Sequence, residues 1–444
     1  MIRCHTMRSH LLYLALFCST CTYCKGNGAA KPCPEPVACV PAVPVKDAQN
    51  PPTPEVPPPT PEVPPPLTIV VKEPVCAWTA TPPETGAHTH RLGRALPGFP
   101  WQLQATFGLR ARVTTTPVKV GADRWVVGDH KGRIQALDVA RRQERWTIRP
   151  AWQAKTGDAV WSAPVLSPDG KTLWVGSDDD QLHQFDAVTG AGLAQVTPFA
   201  CTPKKKTDPE AARCDQDAAF LVFPDGGLLT GGAGISRVDA SGKVLWQHPV
   251  TTHVRGSAAL DVDGHLYVAT LGGEVLSLTA DGKLRWQAHA RGQCDSTPLL
   301  AGGCTVIVGC DDRTLTAFST IDGRVKWRLY APEGFRGGGA LSPDGATLYW
   351  GNLDRYLYAV SVENGKVQWR YRTAGRQLIP PLVDTAGRVL VFPEEKRLYL
   401  LDAAGTLAGT FVLPAIAEAH PAWIDERTLL LPLETGEVLL FSGK

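Results

Sequence analysis

Three kinds of residue in this 444-residue chain could do chemistry: twelve cysteines, eleven histidines and a few short acidic runs. The runs are Asp178-Asp179-Asp180, Asp261-Val262-Asp263-Gly264 and Cys310-Asp311-Asp312. A calcium site needs about six to eight oxygens, and the common loop closes with a distant glutamate. None of the runs has the spacing D-x-[DN]-x-[DN]-G-x-x-x-x-x-E. Each lies between β-rich stretches, where aspartate organises a hairpin turn, so no metal ligand is expected. The histidines are scattered, with no H-E-x-x-H and no legible Ser/His/Asp grouping. No catalytic residue is expected either, although a site assembled from distant segments would leave no local signature.

The cysteines point to disulfides rather than reactivity. Cys4, Cys18, Cys21 and Cys24 lie in the first 24 residues, and Cys33, Cys39 and Cys76 flank a proline-rich tract. Cys201 and Cys214 bracket the basic loop CTPKKKTDPEAARC, where a bridge is expected. A second is expected between Cys294 and Cys310, brought together by a hairpin around Gly302-Gly303. Cys304 either pairs with Cys76 or is simply buried. Cys21-Thr-Tyr-Cys24 is a chance C-x-x-C in the first 24 residues, and no C-x-x-C pair with a second matching pair appears in the repeat region, which argues against structural zinc.

The segments that precede these groups set their compartment. Residues 1–24 read MIRCHTMRSHLLYLALFCSTCTYC, with Arg3 and Arg8 ahead of an apolar stretch, Leu11–Phe17, too short to span a bilayer. A signal peptide is expected, with export to the periplasm or to the outer-membrane or cell surface. Ser19-Thr20-Cys21 comes nearest to a lipoprotein signal, making Cys21 the candidate lipidation site and plain secretion the alternative. Residues 25–96 read as a disordered proline-rich spacer containing PPTPEVPPPTPEVPPP, which favours polyproline II and cannot build a core. The net charge of +2 and pI near 8.0 supply no overall field for nucleic acid or an acidic membrane.

From residue 97 to the end the chain repeats. Ser241-Gly-Lys-Val-Leu-Trp246, Asp281-Gly-Lys-Leu-Arg-Trp286, Asp322-Gly-Arg-Val-Lys-Trp327 and Asn364-Gly-Lys-Val-Gln-Trp369 place tryptophans 40, 41 and 42 residues apart. The same register predicts equivalent positions at Trp101, Trp146, Ala194 and Gly409. Between markers the pattern is strand and turn four times over, with Asp-Gly and Gly-Gly pairs where φ must be positive. Four short antiparallel strands every forty-odd residues make a propeller blade. The last unit has only three strands, whereas Gly98–Phe107 is an orphan fourth. Joining them closes an all-β, eight-bladed propeller over residues 97–444 with no open sheet edge.

The phrase Asp-Gly-Lys-Val-x-Trp, preceded by runs such as Tyr356–Val360 and Val275–Leu278, resembles the pyrroloquinoline-quinone (PQQ)-like propeller repeat over about residues 98–444. The family includes quinone dehydrogenases, outer-membrane assembly lipoproteins of the BamB type, and sensor or scaffold domains. The resemblance implies that the marker tryptophans dock one blade on the next. In the dehydrogenases it also implies a quinone stacked on two adjacent bonded cysteines, and this chain has no Cys-Cys dipeptide. No cofactor and no enzyme activity are therefore expected. The leading expectation is a monomeric, exported, non-catalytic scaffold of the BamB-like branch that binds an envelope protein or peptide. It would meet the membrane only through an N-terminal lipid. A glycan-binding or sensory head is the alternative, with a quinone-dependent oxidoreductase behind it. The long proline spacer departs from the BamB type.

Overall fold

A computed structural model describes residues 94–443, apart from Glu144, residues 201–213 and Asp217. The signal peptide, nearly all of the spacer, Cys21 and Cys201 lie outside these residues. The described chain has no helix and forms eight four-stranded antiparallel sheets arranged as the blades of a closed propeller. Within a blade, strands A to D run from the channel outward. Blade 1 spans 118–155, blade 2 165–196, blade 3 221–249, blade 4 259–289, blade 5 299–330, blade 6 339–372 and blade 7 382–412. Blade 8 takes three strands from 422–442 and its D strand, Gln102–Gly108, from the N-terminal side. Strands B and C are buried on both faces because a neighbouring blade covers each side, as in Glu274–Leu278 and Thr305–Gly309. D strands such as Val244–Pro249 alternate half-buried and exposed, since only one face meets a neighbour.

A bulge between strands C and D fixes one equivalent position in every blade. In blade 5 Ala317 faces Trp327 while the next residue, Phe318, faces Val325. The same offset selects Trp152, Ala194, Trp246, Trp286, Trp369 and Gly409 in blades 1 to 4, 6 and 7, and Ala105 in blade 8. Trp101 and Trp146 are therefore off the register that their spacing suggested. Trp146 lies in an extension of the blade 1 hairpin, Arg133–Arg142 with Arg145–Lys155, which displaces the true docking residue to Trp152. Trp101 precedes its strand, donates its indole N–H to Pro97 O, and packs against Phe411 and Phe441.

At the in-register positions the indole N–H of Trp246, Trp286, Trp327 and Trp369 donates to Ala280, Thr320, Val362 and Ala403 O of the following blade. Each ring lies over the glycine of that blade's C–D turn. A Cβ on Gly323, where φ is +73°, would stand 2.6 Å from the Trp286 ring. Where the tryptophan is lost, other groups cover the gap. The Phe99 ring lies over Gly409, and Trp146 and Ile148 join Ala105 and Phe107 in one apolar cluster.

Two further ties bear on the sequence reading. Leu96 N–H donates to the buried Asp384 carboxylate at 2.9 Å, and Arg388 donates to Leu96 O while pairing with Asp384. Residues 94–101 thus form a strap across blades 7 and 8 ahead of the closing strand. Cys294 and Cys310 are bridged, but by another route than a two-residue hairpin. Ala301 pairs with Thr305, leaving a three-residue turn with Cys304 at φ +54°. The bridge forms where 294–296 leaves the ladder, and Ser296 Oγ bonds the Gly309 backbone instead. Cys214 and Cys304 are each disulfide-bonded too, to cysteines outside the described residues.

Candidate functional site

The D-to-A crossovers and the B–C turns share one face of the propeller, the upper face, by the antiparallel order of the strands. The A–B and C–D turns share the lower face. On the upper face, the crossovers entering blades 1, 2, 7 and 8 frame an open cleft of ≈ 240 Å³. Thr114–Thr116, Trp161, Ala163, Leu378–Pro380 and Glu418–His420 line it.

Trp161 is the exposed aromatic of this cleft, at 41%. It is held rather than loose. Its indole N–H donates to Asp178 Oδ2 at 2.9 Å, and the Arg112 guanidinium lies 5.7 Å from its ring centre. Arg112 in turn pairs with Glu418 at 2.7 Å. The floor is set by backbone-directed bonds. Thr114 Oγ1 donates to Val160 O, and Gly128 N–H donates to Thr115 Oγ1 at 2.7 Å. His420 Nε2–H donates to Pro380 O at 2.7 Å, and burial pushes its pKa down to about 4, so the ring is neutral at ordinary pH. The arrangement offers a positioned aromatic ring, hydroxyls, short aliphatic walls and a tethered ion pair. That is a recognition surface for a mixed apolar and polar ligand.

Elsewhere on the upper face, arginines of the crossovers pair with acids of adjoining loops: Arg255 with Asp295 at 3.7 Å, Arg336 with Asp311 at 2.6 Å, Arg376 with Glu394 at 2.6 Å. The Asp311 carboxylate beside Arg336 holds that guanidinium's pKa above its usual value. These pairs tie loops together.

The acidic runs resolve into turn and positioning roles. Asp178 orients Trp161, and Asp179 accepts from His183 Nε2 and Gly157 N–H. Among the described residues Asp261, Asp263 and His265 do converge within 4.8 Å. Both Asp261 oxygens are occupied, however, by the N–H groups of Asp263 and His265, His265 Nδ1 and the Tyr267 hydroxyl. That geometry is a closed turn on the lower face. The marker tryptophans lie between blades, away from the cleft. Sequence reasoning missed Trp161, Arg112, Glu418 and His420. The available signal was that Trp161 is a tryptophan outside the repeat register, in a crossover.

Residues 231–442 match the family model PQQ_2, described as outer membrane protein assembly factor BamB. Over those residues the propeller carries the PQQ-like repeat. Among solved structures, the computationally designed Ika8 protein superimposes with a TM-score of 0.62 at 13% identity, covering 77% of this chain and 99% of that one. BamB from Moraxella catarrhalis does so with a TM-score of 0.58 at 17% identity, covering the same 77% and 99%. At these identities the likeness is one of fold. No curated protein matches in sequence.

Proposed function

We propose that this PQQ-like propeller is an exported, non-catalytic scaffold that holds a protein or peptide partner in the cleft at its channel mouth. The observation that carries the reading is Trp161, exposed yet fixed by Asp178 and Arg112 in a cleft built by four blades. A pre-positioned aromatic loses little entropy on binding and is a typical anchor of protein recognition. The likeness to BamB, described as an outer membrane protein assembly factor, supports an envelope setting. The N-terminal signal, the Cys21 lipidation candidate and the spacer support the same setting.

The test is capture from the native envelope by the full chain, with a photocrosslinker at the cleft rim, comparing wild type with Trp161→Ala. One dominant crosslinked protein, weakened tenfold or more by the substitution, is the expected result. Removal of a central tryptophan anchor typically costs about 2 kcal/mol or more. A partner captured equally by both forms would overturn the site. Stoichiometric binding of quinone with substrate-dependent dye reduction would overturn the class. Selective retention of an oligosaccharide by Trp161 would favour the glycan-binding alternative.

A further inference from the structure

The C–D hairpin of blade 1 differs from the other six. In blades 2 to 7 strand D begins two residues before the docking position, as Val325 does before Trp327. In blade 1 strand D begins at Arg145, well ahead of Trp152, and strand C continues to Arg142. The hairpin thus extends past the lower face by about four residue pairs, roughly 13 Å. Its strand D covers the closing strand with Ile148 and, opposite Arg141 beside the tip, Trp146. Its tip reads Arg141-Arg142-Gln143-Glu144-Arg145, and Arg141, Arg142, Arg145 and Arg149 are all exposed. Other C–D turns carry their own neutralising acid, as Lys283 pairs with Asp281 at 2.7 Å and Arg324 with Asp322 at 3.3 Å. Residues 138–149 of the extension hold four arginines against two acids, Glu144 and Asp138, and Asp138 is paired with Arg124, a local excess that the net charge of +2 conceals.

A second observation concerns the same face. The chain enters the fold there: Leu96 is tied to Asp384 and Arg388 of the blade 7 A–B turn, and the Arg94 guanidinium lies 5.5 Å from the centre of the Trp423 ring in blade 8. Blade 8 is the neighbour of blade 1, so chain entry and basic tip lie at the same end of adjoining blades.

We infer that the blade 1 hairpin is an electrostatic foot for a bilayer surface containing anionic phospholipid, which would hold the lower face toward the membrane and the Trp161 cleft away from it. The inference rests on the envelope setting proposed above. A membrane fits the tip better than an acidic protein does. Every side chain of 141–145 is polar, and the adjoining Trp146 packs on the closing strand, which leaves no free aromatic or aliphatic anchor at the tip to seed a protein interface. Guanidinium groups on a projecting loop match a surface of phosphate groups, and basic side chains near anionic lipid each add to binding.

The full chain is mixed with phosphatidylcholine vesicles with and without phosphatidylglycerol, and the ratio of the two binding constants is read. The ratio is unaffected by any lipid on Cys21, which would anchor the chain to both. The wild-type ratio is expected to be large and to collapse at high salt. It should fall by about fivefold for each arginine removed, and more than a hundredfold in R141Q/R142Q/R145Q/R149Q. Cleft-dependent capture and the melting temperature of that variant should match wild type, which separates this result from failure of the cleft reading or of folding. A wild-type ratio near one, or one unchanged in the variant, overturns the proposal. So does displacement by inorganic phosphate alone, or tighter binding to soluble polyglutamate than to vesicles.

Discussion

At the residue scale, the side chain with the clearest thermodynamic signature is His420. Its Nε2–H is committed to Pro380 O and its ring meets the Phe392 edge, so protonation would place a charge in a largely desolvated site at the cleft wall. The folded pKa, about 4, lies below the ordinary 6.5. The unfolded chain therefore binds the proton first as pH falls. The sign follows: the contribution is intact above about pH 6.5 and is lost progressively as pH drops to about 4, on the order of 3 kcal/mol in total. Two exposed turn aspartates titrate lower. Asp186, held down by Thr189, and Asp281, held down by Lys283, stay ionised until pH falls below the usual carboxylate range. The His420 contribution is therefore read between pH 4 and 6.5. Denaturant unfolding of wild type and His420→Gln at pH 7, 5 and 4 measures it. Wild type should lose about 3 kcal/mol more than the variant between pH 7 and 4; parallel losses would contradict the assignment.

At the scale of the element, the blade is held to its neighbour by one ring over one glycine. Trp286 is 8% exposed, donates to Thr320 O and fills the space above Gly323. Trp286→Ala should cost about 3–5 kcal/mol, as large-to-small core changes do. Gly323→Ala should also destabilise, through its positive φ and the clash with the ring. The double variant should fall short of the sum, because removing the ring removes the clash, and equilibrium unfolding of the four forms reads that coupling. Additive costs would mean that the two residues do not meet. The same pairing explains what the sequence made legible. Four intact Gly-Lys/Arg-x-x-Trp phrases carried strand order, turn positions and blade spacing through blades 3 to 6, because each phrase is a complete docking unit. Legibility fell where that unit was rebuilt. Phe99 stands in for the missing side chain at Gly409, and a lengthened hairpin shifted the count in blade 1 from Trp152 to Trp146. The cleft was illegible for a related reason. Its residues come from four crossovers, which the repeat does not constrain, and only folding brings Arg112 to Glu418, 306 positions away in sequence.

At the scale of the whole molecule, closure depends on a short N-terminal segment joined to the other end of the chain. Gln102–Gly108 pairs with Glu437–Ser442, Trp101 and Leu96 enter the core shared by blades 7 and 8, and Leu96 engages the buried Asp384. With disulfides reduced in every form, so that no bridge to Cys304 enters the comparison, removing residues 1–93 spares all of these contacts and should leave the melting temperature of the propeller unchanged. Removing 1–108 takes the strap, the closing strand and the ring over Gly409 together. It exposes one unpaired edge in blade 8, uncovers apolar surface of blades 7 and 8, and leaves Asp384 with Arg388 as its remaining named partner. Burial of Leu96 and Trp101 alone is worth about 2–3 kcal/mol each, so the longer truncation should melt lower by roughly 10 °C or more and self-associate through the bare edge. Adding a peptide of residues 94–110 should restore the monomer and part of the lost stability, since it can occupy the vacant strand position. Scanning calorimetry with light scattering on the two truncations distinguishes the outcomes. Equal melting temperatures, or no response to the peptide, would mean that the eight blades hold their ring without the N-terminal strand.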